Sequence, residues 1–216
     1  KYNAGGNAVW KNTFGGSSND QFNFVYAAAD GGYIAVGKSA SDNGDMTNLH
    51  HSADDAIIVK YEANGSIAWS KTFGGNSNDE FKGVQQTADG GYIAVGKSSS
   101  NNDDMTGLYH NGEDAVIVKY DSSGNIVWKK SFGGSFQDVF ISVQQTADGG
   151  YIAVGSSDSS DEDMQGFNKH PVTGYSEAII IKYNAAGSVV WQSSLGGYNT
   201  DIFNSVQQTA DGGYIV

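Results

Sequence analysis

Hydrophobic positions in residues 81–132 follow the pattern of four short β-strands. Residues 81–87 alternate between apolar and polar, and residues 92–96 form the continuously apolar segment YIAVG. Residues 115–120 are rich in β-branched side chains, and residues 125–132 alternate again. Alternation is typical of a strand with one buried face, and a continuous apolar run is typical of a strand covered on both faces. Because helical periodicity is absent, the pattern predicts four antiparallel strands.

Turn residues separate these strands. The segment ADGG at residues 88–91 tolerates positive φ and predicts a tight hairpin, and DSSG at residues 121–124 predicts a second turn. The long polar segment at residues 97–111 predicts a loop between the second and third strands. One unit therefore consists of four strands joined by two tight turns and one long loop.

The same unit recurs almost four times at a step of about sixty residues. Every tryptophan belongs to one column, at spacings of 59, 59 and 63 residues: Trp10, Trp69, Trp128 and Trp191. A fixed period of this length is typical of stacked or radially arranged supersecondary units. We predict an all-β fold, a β-propeller or propeller segment built from four-stranded antiparallel blades, with three full repeats plus one split repeat. Residues 1–216 form one array, whose repeats start near Phe14, Phe73, Phe132 and Leu195.

The repeat resembles that of secreted bacterial β-propellers of the type FGGSxxD…QQTxDGGYIxxGxS. Residues 73–98 read FGGNSNDEFKGVQQTADGGYIAVGKS, and the likeness covers essentially the whole chain. Residues 119–134, KYDSSGNIVWKKSFGG, are also similar to the tryptophan-docking repeat of quinoprotein-type propellers, without that family's cofactor site. The first resemblance implies a propeller in an extracellular or cell-surface setting, and it implies no established catalytic residues.

Composition narrows the choice of partners. The chain has 24 acidic residues against 12 basic ones, all of them lysine, and a formal net charge of −12. Nucleic acids and anionic membranes need clustered cations, so neither is an expected partner. The absence of cysteine excludes disulfides and thiolate chemistry, and no apolar run approaches membrane-spanning length. The last repeat stops inside an apolar strand, so we interpret the chain as a window of a longer array.

Acidic side chains cluster in the loop between the second and third strands of each unit. Carboxylate and amide oxygens are the ligands that Ca²⁺ prefers, so calcium is the one cofactor that the sequence suggests. The alternative is that these side chains form Asx turns while the methionine of each loop packs onto the sheet. The candidate ligands are Asp42, Asp45, Asp103, Asp104, Asp161 and Asp163. At the far end of the loops, Asp55, Asp114 and Glu177 could add a ligand.

The same loops carry the histidines and several aromatic residues outside the repeat columns. One imidazole per unit does not readily build a transition-metal site, so we interpret the histidines as solvated loop residues. Loops in which the copies differ are the better candidates for ligand binding. The histidines are His50, His51, His110 and His170, and the candidate ligand contacts are Tyr109, Phe167, Tyr175 and Tyr198.

Columns that recur in every unit indicate structure, since an active site normally uses one or two units only. We expect each tryptophan to pack its strand onto the next unit, and the Asp79 column to accept hydrogen bonds at a turn. The sequence therefore predicts a noncatalytic surface module that binds extracellular glycan or protein, or acts as a scaffold. Two alternatives stay open: a subunit that self-assembles through unpaired edge strands, and a propeller-platform enzyme of quinoprotein or hydrolase type.

Overall fold

A computed structural model describes residues 1–49, 52–167 and 175–216. The chain is all-β, and its three full repeats form three four-stranded antiparallel sheets with strands in sequential order. This confirms the predicted four-stranded unit. The described residues contain no helix that is long and apolar enough to cross a membrane. His50, His51 and His170 lie outside the described residues, as does the prediction made for them.

Each of the three sheets begins at the aspartate that recurs in every repeat, which is Asp79 in the second sheet. The first contains β1 (Asp20–Ala27), β2 (Tyr33–Ser39), β3 (Asp55–Tyr61) and β4 (Ile67–Phe73). The second contains β5 (Asp79–Gln86), β6 (Tyr92–Ser98), β7 (Asp114–Tyr120) and β8 (Ile126–Phe132). The third contains β9 (Asp138–Gln145), β10 (Tyr151–Ser157), β11 (Glu177–Tyr183) and β12 (Val189–Leu195). A short hairpin follows, with β13 (Gln207–Gln208) and β14 (Tyr214–Ile215).

The hydrophobic core lies between the sheets. Central strands such as β6 and β7 are buried on both faces, which explains why their sequences are apolar without alternation. One cluster joins the first sheet to the second through Ile34, Val36, Ile58, Phe81, Val84 and Tyr92. A second cluster joins the second sheet to the third through Ile93, Val95, Ile117, Phe140, Val143 and Tyr151. The middle sheet is therefore covered on both faces.

The first strands of the sheets lie side by side, with β5 between β1 and β9. Paired glutamines in β5, β9 and β13 fix this arrangement, because their side chains accept backbone N–H groups of a neighbouring sheet. The second glutamine of each pair accepts from a turn of the preceding sheet: Gln86 from Ala29 at 2.7 Å, Gln145 from Ala88 at 2.8 Å and Gln208 from Ala147 at 2.8 Å. The same bond thus recurs at each boundary.

Tryptophans dock each sheet onto the next, as the sequence predicts. The indole Nε1 of Trp69 in β4 donates a hydrogen bond of 3.2 Å to the carbonyl oxygen of Ser122, in the turn between β7 and β8. Its ring packs edge-on against Tyr92 at 5.8 Å. Trp10 and Trp128 donate to Ala63 and Ala185 in the same way.

The N-terminal end of the array differs from the predicted repeat. No closed propeller is detected among the residues that the structure describes. The strand expected to contain Trp10 does not form: residues 1–14 contain one isolated bridge, between Tyr2 and Ala8, and no named strand. A strand of this type pairs with the aliphatic third strand of its own sheet, and residues 1–14 have no such neighbour.

An apolar face of the first sheet is open to solvent. Phe22 and Val25 in β1 are 40% and 61% exposed, whereas their counterparts Phe81 and Val84 in β5 are buried. A cavity of about 490 Å³ lies on this face beside Trp10. We interpret it as an uncovered repeat interface, because the equivalent space in the later sheets is filled by the preceding sheet.

Candidate functional site

The Asp79 column is structural, as predicted. Asp138 at the start of β9 is buried and accepts hydrogen bonds from the hydroxyls of Ser157 and Ser159 and from the backbone N–H of Gly134 at 2.9 Å. Burial raises the pKa of Asp138 to about 6, against the opposing effect of these hydrogen bonds. Asp79 has equivalent partners, and burial likewise raises its pKa to about 6.

The aspartates predicted as calcium ligands fasten the long loops to the chain. Asp45, Asp104 and Asp163 each accept the backbone N–H of a glycine that lies shortly before the first strand of the same sheet, at 3.0, 3.3 and 3.3 Å. These carboxylates therefore connect the long loop to the segment before the first strand of the same sheet. They do so through these hydrogen bonds and not through the predicted local Asx turns. The methionine of each loop is buried as expected: Met46, Met105 and Met164.

The remaining candidate ligands of calcium are spread over the loops. Asp161 accepts hydrogen bonds from the backbone and hydroxyl of Ser135, whereas Asp42 and Asp103 are exposed. Within the described ranges, no group of three histidine, aspartate or glutamate side chains is placed to hold a metal ion. Calcium binding by these loops stays a prediction.

His110 differs from the predicted solvated histidine. Its Nδ1 lies 2.6 Å from Oδ1 of Asp114, and its backbone N–H donates to Oδ2 of the same carboxylate at 3.0 Å. Asp114 is fully buried, and this burial raises its pKa. The prediction is wrong for His110, because a buried carboxylate at the start of β7 needs donors and the histidine supplies two of them.

The four predicted ligand-contact aromatics have different environments. Tyr198 is 80% exposed and Tyr175 is 45% exposed, in the segments after β12 and before β11. Tyr109 is partly buried, and Phe167 packs against the second core cluster. Tyr175 and Tyr198 therefore have the ring surface that a ligand contact requires.

A cavity of about 270 Å³ opens between the second and third sheets at the edge that carries the long loops. We call it the Lys97 groove. Polar side chains form one part of its lining: Lys82, Lys97, Glu113, Gln137, Ser156, Asp158 and Ser176. An aliphatic wall forms the rest: Val139, Ile141 and Ile202. An apolar wall with a few polar groups is typical of small-ligand sites.

Ion pairs compensate the lysines of the groove. Lys97 Nζ contacts both carboxylate oxygens of Glu113 at 3.1 and 3.0 Å. Lys82 Nζ lies 2.8 Å from Glu80 Oε1. The groove consequently presents both donors and acceptors with little excess of positive charge, and Asp158 adds a further carboxylate.

The groove exists at this boundary because the repeats differ there. The column of Lys38 and Lys97 has Ser156 in the third sheet, and the acidic partner column has Ser176 at the position of Glu113. Two short serines thus replace the long lysine–carboxylate pair, which leaves space. The sequence analysis missed these positions because they lie in or beside strands that it interpreted as structural. The signal that could have identified them is the change to serine in columns that otherwise repeat.

Exposed aromatic residues adjoin the groove in sequence. Phe136 is 49% exposed and precedes Gln137, and Tyr175 precedes Ser176. Sequence reasoning selected Tyr175 and missed Phe136. The lining residues thus have an apolar ring beside them on two of the segments that form the groove.

No protein-family model matches the chain, and no curated protein is similar enough in sequence to be matched with it. The groove must therefore be interpreted from its own chemistry.

Proposed function

We propose that the chain is a segment of a noncatalytic β-propeller that acts outside the cell or at its surface and binds a glycan in the Lys97 groove. The observation that supports binding is the groove itself, which forms where the third repeat differs in sequence from the first two. Differences between copies are expected at a ligand site, whereas shared columns serve the fold.

The regular boundaries between sheets support the propeller. Each sheet is a four-stranded meander, first strands lie side by side, and tryptophans dock each sheet onto the next. Radial repetition of four-stranded meanders is the architecture of a propeller. The extracellular setting rests on the resemblance to secreted bacterial repeats and on the acidic, lysine-only composition.

The chemistry of the groove favours a saccharide. Sugar rings present hydroxyl groups at their edges and C–H groups on their faces. Paired lysine, carboxylate, serine and amide groups can exchange hydrogen bonds with the hydroxyls, and the aliphatic wall can contact the ring faces. Because the ion pairs compensate the lysines, a neutral saccharide fits better than a strongly anionic one.

We propose a noncatalytic protein because the carboxylates that recur in every unit already accept hydrogen bonds from other groups of the chain. Asp79, Asp138 and Asp104 accept hydrogen bonds that hold turns and loops in place. A pair of carboxylates that act as acid and base would need distinct environments facing one substrate.

A glycan array, followed by titration calorimetry with the best saccharide, tests the proposal. Lys97→Ser introduces the residue that the third sheet already carries, so the fold should tolerate it, and we expect affinity to fall about tenfold or more. Lys38→Ser is the matched control in the same column outside the groove, and it should leave affinity unchanged. The absence of any saccharide ligand, or equal affinity of the two variants, would refute the proposal. Release of cleaved sugar would refute its noncatalytic part.

The open apolar face of the first sheet favours self-association as a second candidate. Phe24 in β1 is 45% exposed beside Phe22 and Val25. If this face joins two chains, light scattering over micromolar concentrations should show dimers that Phe24→Ser removes. Phe136→Ser changes an equally exposed phenylalanine elsewhere and serves as the control. A strictly monomeric wild-type chain would exclude this candidate.

A further inference from the structure

Pairs of carboxylates lie where each full sheet meets the segment that follows it. The first residue of each third strand stands near the next aspartate of the Asp79 column: Asp55 with Asp79, Asp114 with Asp138, and Glu177 with Asp201. Neighbouring carboxylates repel each other when both are ionised, so every such pair needs compensation.

Donors compensate the pair at the boundary between the second and third sheets. Asp114 is bonded by the backbone N–H and the imidazole of His110. Asp138 is bonded by two serine hydroxyls and one backbone N–H. Each carboxylate of this pair therefore has hydrogen-bond partners despite its burial.

In the pair after the third sheet, Glu177 lacks such partners. Glu177 is 2% exposed, and neither of its carboxylate oxygens has a hydrogen-bond partner among the described residues. A Cβ atom placed on Gly196 would stand 2.6 Å from Oε2 of Glu177 and 3.1 Å from Oδ2 of Asp201. Both carboxylates therefore face the same space beside Gly196, and Asp201 receives a hydrogen bond of 2.8 Å from the backbone N–H of Gly197.

We infer that Glu177 and Asp201 bind a hard divalent cation such as Ca²⁺. An unpaired buried carboxylate is unfavourable unless a charge or donors compensate it, and a divalent cation compensates both carboxylates at once. Glutamate at this position, where the other sheets have aspartate, carries its two oxygens one methylene further towards Gly196. Oxygen ligands with no imidazole or thiolate select Ca²⁺ or Mg²⁺ over transition metals, and water or carbonyl oxygens complete such sites.

The cation would also connect two segments that line the Lys97 groove. Ser176 precedes Glu177, and Ile202 follows Asp201, and both residues line the groove. Calcium should therefore order this part of the groove, a consequence that rests on the proposed function. The cation site itself does not depend on the groove having a ligand.

Titration calorimetry of the EGTA-treated chain with CaCl₂ tests the inference. We expect one site per chain with a dissociation constant on the order of 10⁻⁵ to 10⁻³ M. Glu177→Gln should abolish the heat of binding, whereas Glu162→Gln, which removes an exposed carboxylate from a nearby loop, should retain it. Asp201→Asn is a second variant for the case in which Glu177→Gln does not fold. Absence of binding up to about 5 mM Ca²⁺, or unchanged binding in both site variants, would overturn the inference.

Melting experiments separate a cation from a shared proton. If a proton compensates the pair, Glu177→Gln should melt at a higher temperature than the wild type near neutral pH, and calcium should not alter the wild-type melting temperature. That result would also overturn the inference. Saccharide titrations with calcium and with EGTA separate the two proposals: calcium binding without any saccharide ligand refutes the proposed function alone, and saccharide binding without calcium binding refutes the cation site alone.

Discussion

Buried lysines stand at the same position of each third strand. Lys119 in β7 is 3% exposed, its Nζ lies 2.9 Å from Oδ2 of Asp89, and it donates to the carbonyl oxygen of Tyr120 at 2.9 Å. Burial opposes ionisation of Asp89, but hydrogen bonds from Thr87, Lys119 and the turn lower its pKa to about 2. The lysine therefore ties β7 to the hairpin turn between β5 and β6, which explains why the DGG and KY segments recur together.

Asp138 should make stability depend on pH in a predictable direction. Its folded pKa of about 6 lies above the ordinary value, so its contribution to stability is complete below about pH 4 and is lost as pH rises through 6. Between pH 4 and pH 7, the free energy of unfolding of the wild type should therefore fall by up to about 3 kcal/mol relative to that of Asp138→Asn.

Chemical denaturation of both proteins at several pH values measures this difference. Glu162→Gln, which changes an exposed carboxylate, should show no such trend. A stability difference between wild type and Asp138→Asn that stays constant over this range would contradict the prediction.

At the scale of elements, local signals were sufficient for the strands of a complete repeat. The predicted strands of the second repeat begin and end within two residues of β5, β6, β7 and β8. Alternation and turn residues are local, so one sequence shows them. The start of β5 is earlier than predicted because Asp79 pairs with Ser98 across the sheet, a contact that no local pattern contains.

Elements that depend on a distant partner could not be predicted in this way. Trp10 has a local sequence similar to that of the other tryptophans, yet its segment forms no named strand because no third strand lies beside it. The Lys97 groove likewise depends on two sheets being side by side and on Ser156 and Ser176 facing one space. Sequence reasoning identified Tyr175 near this groove because the third loop is visibly different.

The turn between β7 and β8 should be sensitive to a single methyl group. Gly124 has a φ of +80°, and a Cβ there would lie 2.8 Å from the ring of Trp69. Gly90 has a φ of +82° and open space around the same position, so it is a matched control for the backbone strain alone. Gly90→Ala should cost about 1 kcal/mol, and Gly124→Ala should cost about 1 to 3 kcal/mol more.

Equilibrium unfolding monitored by tryptophan fluorescence gives both free energies. The native emission of Gly124→Ala should also shift, because Trp69 must move away from the turn. Equal destabilisation by the two substitutions would show that the packing of Trp69 against this turn contributes little.

At the scale of the whole molecule, the position of a sheet in the array should set its stability. The middle sheet shares a core cluster with each neighbour, whereas the first sheet has an exposed face at Phe22 and Val25. In repeat arrays, stability is approximately a sum of unit and neighbour contributions. Local opening should therefore be rarer in the middle sheet than in the first.

Hydrogen exchange can test this with an internal control. β2 and β6 have the identical sequence YIAVGKS, so their intrinsic exchange rates are closely matched. Amides of β6 should exchange more slowly than those of β2, by about tenfold for each 1.4 kcal/mol of difference in opening free energy. Equal protection of the two strands would mean that the array opens as a single cooperative unit.

Each tryptophan packs against the glycine turn of the following sheet. A repeat therefore carries, on its two sides, the two complementary surfaces that join it to similar neighbours. Trp69 and Trp128 insert against Gly124 and Gly187 with nearly the same geometry. A gene duplication that adds one unit would thus bring a complementary surface with it at both ends. Array length can change during evolution without any new interface, while substitutions at a single boundary, such as those that form the Lys97 groove, can diversify what is bound.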